Sequence, residues 1–362
     1  MRPSLQHLGA ACALLPALAL LPQDVRYYVI CMLVRPIVGT GGILSAQQWV
    51  DGHPYGPSFA NPSEAIARAR SYTWGSDDLI IATHPKSGTH LTQLATLLVL
   101  YRGALPPKTD LHSLMVLPEF ASHGASARQR AYDEPTEQYA THPRVITTHM
   151  PVAHLHYSPA AKYVYVMRDP VAGCASGRRM EQLLLGPYLT PPLDVFVAQA
   201  AKGAVRAGGW LDQVLGWWSV RARRNLLLLR YEWMLAHPRA AAAKLARLAG
   251  VRLSRAQRAT VVERMSLRWS LEHVDPYIGR AVTPLSPPEQ PRVSASNFIV
   301  NASRMPAWAQ PFSPSHKAHI RATVHAAIRE RINVGGEGAR HARSFLRQHR
   351  RYFCGVDGVS CG

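Results

Sequence analysis

Acidic residues are scarce in this chain: 22 Asp and Glu stand against 41 Lys and Arg over 362 residues, a formal net charge of +19. Such a balance suits polyanionic nucleotides, nucleic acid or anionic membrane and by itself selects none of them. No basic stripe interleaved with aromatics and no zinc-finger spacing is present, so nucleic acid is not an expected partner. Cysteine is almost missing. Cys12, Cys31, Cys174, Cys354 and Cys361 are too few and too scattered for a disulfide framework, and no Cys-x-x-Cys pair occurs. The 17 histidines form no cluster at ligand spacing, and no metal site is expected. The sequence also lacks an apolar run of the roughly eighteen residues that a spanning helix needs. The apolar stretch Leu8 to Leu21 follows Arg2 and is interrupted by Pro16, and a second patch runs from Tyr27 to Leu33. Three readings of this N-terminus stand: a packed or peripheral extension, a cleaved targeting segment, or a membrane anchor through residues 8–33. Internal repeats and low-complexity linkers are absent as well.

What is present is a rhythm. From about Ser71 onward, short apolar strands alternate with helical stretches, as in a parallel α/β sheet. The expected strands are Leu79–Thr83, Arg144–Thr148, Lys162–Met167 and Asn225–Arg230. The expected helices are Thr89–Tyr101, Pro191–Ala204, Gly209–Ala222 and Arg239–Leu248, the last closed by Gly250. Proline-rich turns at Pro106-Pro107, Pro191-Pro192 and Pro287-Pro288 mark loops over the sheet that suit an acceptor pocket. The basic stretch His341 to Arg351 reads as a solvated helical face.

The chemistry concentrates at strand ends. After the first strand comes Thr83-His84-Pro85-Lys86-Ser87-Gly88-Thr89-His90, a tight turn that opens the first helix. Such a turn offers backbone N–H groups, two hydroxyls and an ammonium to an anion at a helix N-terminus. It is not a Walker A loop, because Lys86 comes too early and the longer glycine-spaced segment is missing. After the second strand, Thr147-Thr148-His149-Met150-Pro151 places an imidazole where it could take a proton near neutral pH. The third strand runs into Arg168-Asp169-Pro170, with Ser176 eight residues beyond Arg168. A guanidinium forks onto phosphate oxygens and a hydroxyl adds a neutral donor; Asp169 and Pro170 equally suit a helix start. Gly209-Trp210, Trp217-Trp218 and Tyr231-Glu232 complete the series, the tryptophans at helical spacing being core residues.

In order and spacing these segments resemble the sulfotransferases that use 3′-phosphoadenosine 5′-phosphosulfate (PAPS), over roughly Asp77 to Phe312. The resemblance implies an α/β, P-loop NTPase-like three-layer sandwich with a central, mostly parallel sheet flanked by helices. It implies His149 as general base and Lys86 as stabiliser of the leaving oxygen. Ser87, Gly88, Thr89 and His90 would hold the 5′ end of the donor, and Arg168 and Ser176 its 3′-phosphate. Tyr231 and Ser266 would lie at the adenine, and Arg304 would stand in for a missing Arg-Lys-Gly segment. PAPS is then the co-substrate, with no metal, and the partner is a small-molecule hydroxyl or amine acceptor. The domain would span residues 71–315, between an extension (1–70) and a basic C-terminal helix and tail (316–362). A cytoplasmic location is implied, with the secretory pathway or a membrane as the alternative through residues 8–33.

Departures from the family pattern are specific. The family lysine two positions before the histidine is Thr147, and a usual tryptophan is Leu91. Leu267 replaces a phenylalanine, and Asn301-Ala302-Ser303 stands upstream of Trp308 where Arg-Lys-Gly is usual. A catalytically weakened member that binds nucleotide or an anionic partner without efficient transfer is therefore the alternative. A metal-dependent phosphotransferase would need a carboxylate at the end of an apolar strand, and none is suitably placed.

Overall fold

The computed structural model describes residues 74–105, 143–189, 191–201, 209–273 and 311–353, with short pieces between 48 and 70. Two of those pieces, β1 (Gln48–Val50) and β2 (His53–Tyr55), pair antiparallel. The apolar N-terminal run lies outside the described residues, as do the loops around Pro106-Pro107 and Pro287-Pro288 and the segment carrying Arg304 and Trp308. No described helix is long and apolar enough to cross a membrane.

The main sheet has four parallel strands: β3 (Asp78–Thr83), β4 (Arg144–Thr148), β5 (Lys162–Met167) and β6 (Leu226–Arg230), in the order β4-β3-β5-β6. The four strand expectations match to within one residue at each end. Pairing sets Ala82 beside Thr148, Thr83 beside Val166 and Met167 beside Arg230. The carboxyl ends of all four strands therefore lie along one edge, where ligands bind in open α/β sheets. At the opposite edge Arg144 bridges to Asp78 Oδ1 at 2.6 Å and ties the two strand starts together.

Period-2 alternation splits the strand side chains between two cores. Leu79, Ile81, Val145, Val164, Val166 and Leu229 face α1 (Thr89–Leu100) and a later helix, Pro238–Ala249. Ile80, Ala82, Ile146, Tyr163, Tyr165 and Met167 face the other side. There the cover is α2 (Pro170–Leu189), α3 (Leu193–Ala201) and α4 (Trp210–Ser219), joined by helices from the end of the chain. A short helix, α5 (Tyr231–Ala236), follows β6 and leads into α6, the Pro238–Ala249 helix already met. Gly250 closes α6 at φ 76°, the left-handed cap expected of it. Then come α7 (Arg255–Arg264), α8 (Leu267–His273), α9 (Pro314–Val334) and α10 (Gly336–Gln348).

The chain end differs from its expected solvated character. In α10, Arg340, Arg343 and Arg347 are exposed, but Ala339, Ala342 and Phe345 are buried, as are Tyr352 and Phe353 beyond it. The basic residues occupy one face of an amphipathic helix whose other face completes the core. The 20-residue α2 also exceeds expectation. Gly173, Gly177, Gly186 and Pro187 depress its helix propensity, and its formation is imposed by tertiary context.

Candidate active site

Three turns at the carboxyl edge build the site, each following a strand. The first is the Lys-Ser-Gly-Thr loop. Lys86 sits at φ 65° and Gly88 at φ 104°, two left-handed residues that reverse the chain between β3 and α1. A lysine in that region is strained, by about 1–2 kcal/mol, and persists only where its surroundings hold it. Here Arg168 donates from Nη1 to the Lys86 carbonyl at 2.8 Å. No side chain caps α1, and its first turn carries no acidic residue. The helix thus presents uncapped N–H groups with their partial positive charge. Ser87 is buried and its hydroxyl has no hydrogen-bond partner, an acceptor-seeking group beside that N-terminus.

Gly88 is close-packed against Tyr231: a Cβ placed there would lie 2.5 Å from a ring carbon. The other partner of the Tyr231 ring is the Arg168 guanidinium, 4.3 Å from its centroid. Tyr231 thereby fixes both the loop and the arginine through cation–π stacking.

The second turn carries His149. Its Nδ1 lies 2.8 Å from the Thr83 carbonyl oxygen and 3.2 Å from Thr83 Oγ1. A carbonyl only accepts, so Nδ1 is the protonated nitrogen and the basic lone pair belongs to Nε2. Thr83 Oγ1 in turn lies 2.7 Å from Thr89 Oγ1, which ties the imidazole to the first residue of α1. From α4, Gln213 Nε2 donates to the His149 carbonyl, and Thr148 Oγ1 accepts from the Met150 amide at 3.0 Å. Burial pushes the imidazole pKa down to about 4; the Thr83 hydrogen bond opposes that, while His84 and Lys86 add to it. His149 is therefore neutral at pH 7, as a proton acceptor must be.

The third turn is Arg168-Asp169-Pro170. Asp169 Oδ1 accepts from the Ala172 amide at 2.9 Å and caps α2, while the Asp169 amide donates to Glu232 Oε1 at 2.8 Å. Trp210 Nε1 donates to the Arg168 carbonyl at 3.1 Å. Ser176 is buried two turns into α2. Burial and then the charges of Arg168 and Arg179 lower the Lys86 pKa to about 8. Three cations thus crowd one edge of the sheet, and an anion would relieve their repulsion.

The structure brings together Lys86, Ser87, Gly88, Thr89, His149, Arg168 and Tyr231, and Ser176 lies buried in the helix that opens at Pro170. His90 lies half-buried in the first turn of α1. Ser266 is an exposed cap, its Oγ accepting from the Trp269 amide of α8 at 3.1 Å. Arg304 lies outside the described residues. Thr147, in place of the family lysine, is buried and accepts from Gln93 Nε2 at 3.0 Å. Sequence reasoning missed Gln213, Arg179, Arg321 and Tyr352. Tyr352 donates to Glu232 Oε2 at 3.0 Å, and Arg321 reaches Asp169 Oδ2 at 3.6 Å, so the C-terminal helices brace the Arg168 turn. No local motif flags a tyrosine so far away; the Tyr231-Glu232 pair was the available signal, through the carboxylate.

Comparison with known proteins identifies the family. Residues 76–274, more than half of the chain, match the family described as the Sulfotransferase domain. Sulfotransferase 2A6 of Mus musculus is 28% identical over 197 residues, which cover 53% of this chain and 66% of that protein. Sulfotransferase 2A2 of Rattus norvegicus is 29% identical over 198 residues, with the same coverage. The aligned region spans 66% of the length of these relatives. The crystal structure of mouse sulfotransferase SULT7A1 complexed with PAP superposes with a TM-score of 0.55 at 18% identity, covering 83% of this chain and 100% of that one. It shares the P-loop-like α/β fold. With strand order, anion loop and family match in agreement, the chain belongs to the sulfotransferase domain family.

Proposed function

We propose that this chain transfers a sulfonate group from PAPS to a hydroxyl or amine of a small-molecule acceptor and releases adenosine 3′,5′-bisphosphate. The observation that carries the reading is the coupling of His149 to the anion loop. Its Nδ1–H is spent on Thr83, and Thr83 is joined to Thr89 in the loop's helix. The base and the anion cradle are thereby one rigid unit. The donor would supply an already activated sulfonate, so positioning and charge stabilisation suffice. Lys86, the uncapped N–H groups of α1 and the Ser87 hydroxyl suit its 5′ end, and Arg168 and Ser176 suit its 3′-phosphate. The PAP bound to the mouse SULT7A1 structure supports that choice of donor.

His149 Nε2 takes the acceptor's proton as the acceptor oxygen or nitrogen bonds to sulfur. The bond from sulfur to the bridging oxygen breaks, and Lys86 meets the charge left on that oxygen. Burial is the main cause of the low imidazole pKa; negative charge arriving beside Lys86 offsets the smaller share that His84 and Lys86 add, so His149 becomes more basic when the site is filled.

The Gln93–Thr147 hydrogen bond favours a second reading, binding without efficient transfer, because it fills the lysine position with a neutral group. One experiment separates the two. The chain is incubated with PAPS and a panel of phenols, steroids and amines, and bisphosphate release is followed alongside nucleotide binding. His149→Ala is expected to lower turnover about 10²- to 10⁴-fold while the bisphosphate Kd stays within about twofold. Turnover retained in that variant removes the general-base role. A wild-type chain that binds bisphosphate but sulfonates none of the panel establishes the second reading.

A further inference from the structure

We infer that Arg179 is an additional ligand of the donor's 3′-phosphate, acting with Arg168 and Ser176; the inference rests on the PAPS reading above. Placement comes first. Asp169 caps α2 and sets its register, and Arg179 lies one turn beyond Ser176, on the same helical face. The neighbouring Arg178 is committed elsewhere: it is buried, donates from Nη1 to the Pro191 carbonyl and lies 5.4 Å over the Phe196 ring. Successive residues on a helix point about 100° apart, so Arg178 and Arg179 do different work.

Chemistry comes second. Arg179 is half-buried, and its Nε is buried without a partner. Arg168 Nε is in the same condition. Among the described residues no carboxylate lies within ion-pair distance of either guanidinium. Buried N–H groups of a cation are costly unless an anion meets them. Burial and then the charge of Arg168 lower the Arg179 pKa, and Arg179 adds to the lowering that burial and Arg168 impose on Lys86, so the three cations are neighbours. Two planar forks and one hydroxyl, on a turn and the helix it opens, match the oxygens of a phosphate monoester.

The charge balance supplies the third argument. The family pattern expects a lysine where Thr147 stands, and Arg-Lys-Gly where Asn301-Ala302-Ser303 stands. Arg179 restores a cation to the donor site from a position one turn beyond Ser176.

The test is calorimetric titration of the full chain with two nucleotides of equal phosphate number: adenosine 3′,5′-bisphosphate and ADP, which has no 3′-phosphate. Arg179→Gln is expected to weaken the bisphosphate by about tenfold or more and ADP by less than about twofold, the loss of one charged hydrogen-bonding group. Arg179→Lys, which keeps the charge but not the fork, is expected to recover only part of the loss. Should Arg179→Gln fail to fold, Arg179→Lys decides alone: at least about threefold weaker bisphosphate with unchanged ADP supports the assignment. Unchanged bisphosphate affinity, or equal losses for both nucleotides, overturns it. A wild-type chain that binds neither nucleotide overturns the PAPS reading, and this inference with it.

Discussion

The two faces of the sheet are built from different material. The face under α1 and α6 is aliphatic: Leu94, Leu97, Leu98, Val99, Ala241, Ala242 and Leu245 are all buried there. The opposite face is aromatic, with Tyr163, Tyr165, Trp210, Trp217, Trp218, Phe345, Tyr352 and Phe353. Trp217 stacks on Tyr165 at 5.2 Å, while Phe345 meets Trp218 edge-on at 5.6 Å. The aliphatic face is assembled mainly from helices adjacent to the strands in sequence. Its aromatic counterpart needs helices more than a hundred residues away. Polar tips distinguish them too: Trp210 holds the Arg168 carbonyl, Gln213 holds the His149 carbonyl, and Tyr352 holds Glu232. Both faces supply stability and share the site: the aliphatic side holds the anion loop through α1 and Tyr231, and the aromatic side braces the turns at His149 and Arg168.

The strongest way to break this contrast is a pair of truncations. Phe345→Ala is expected to cost about 3–5 kcal/mol and Leu98→Ala about 2–5 kcal/mol in denaturant unfolding, since both side chains are fully buried. Only Phe345→Ala should also weaken bisphosphate binding, because it loosens α10 and the brace on Arg168. Equal binding losses at a temperature where both variants are folded would erase the distinction.

Acid sharpens it further. His349 is buried on the aromatic face against Phe345, Trp218 and Tyr352, neither ring nitrogen has a partner, and burial lowers its pKa to about 4. A group whose folded pKa lies below its unfolded value near 6.5 binds more protons when unfolded, so stability falls as pH drops from about 6.5 to 4. Its share is on the order of 3 kcal/mol. His349→Phe is expected to flatten the acid limb of a stability–pH curve that His149 also steepens. An unaltered limb would mean the imidazole finds a partner when charged.

The smallest expected effect belongs to Tyr352→Phe. It removes one hydrogen bond to Glu232 and should cost about 1–2 kcal/mol. Bisphosphate Kd should rise a few-fold, through Asp169 and the Arg168 turn. A stability loss with no change in Kd would make Tyr352 a packing residue alone.

Legibility in the sequence follows the same division. All four strands, the Gly250 cap and the turns bearing Lys86, His149 and Arg168 are local patterns of apolar runs and turn chemistry, and they were readable. Tyr231 was readable as a residue, but its position against Gly88 and Arg168 depends on β6 lying beside β5, a tertiary fact. The braces from Arg321 and Tyr352 were not readable, because the stretch from His341 to Arg351 reads as a basic, solvated helical face and nothing local links it to Glu232 or Asp169. Arg179 was hidden for another reason: beside Arg178 it reads as half of a charged pair, and only the helix shows that the two side chains part.

The contact between Gly88 and Tyr231 constrains how this protein can change. Any side chain at position 88 would collide with the ring, so an accumulating series of substitutions must shrink residue 231 before it enlarges residue 88. Taking that first step surrenders the platform beneath Arg168. The second still meets a left-handed backbone that glycine tolerates best. The order of the two changes therefore matters: the fold imposes a one-way street on variation at the heart of its anion loop.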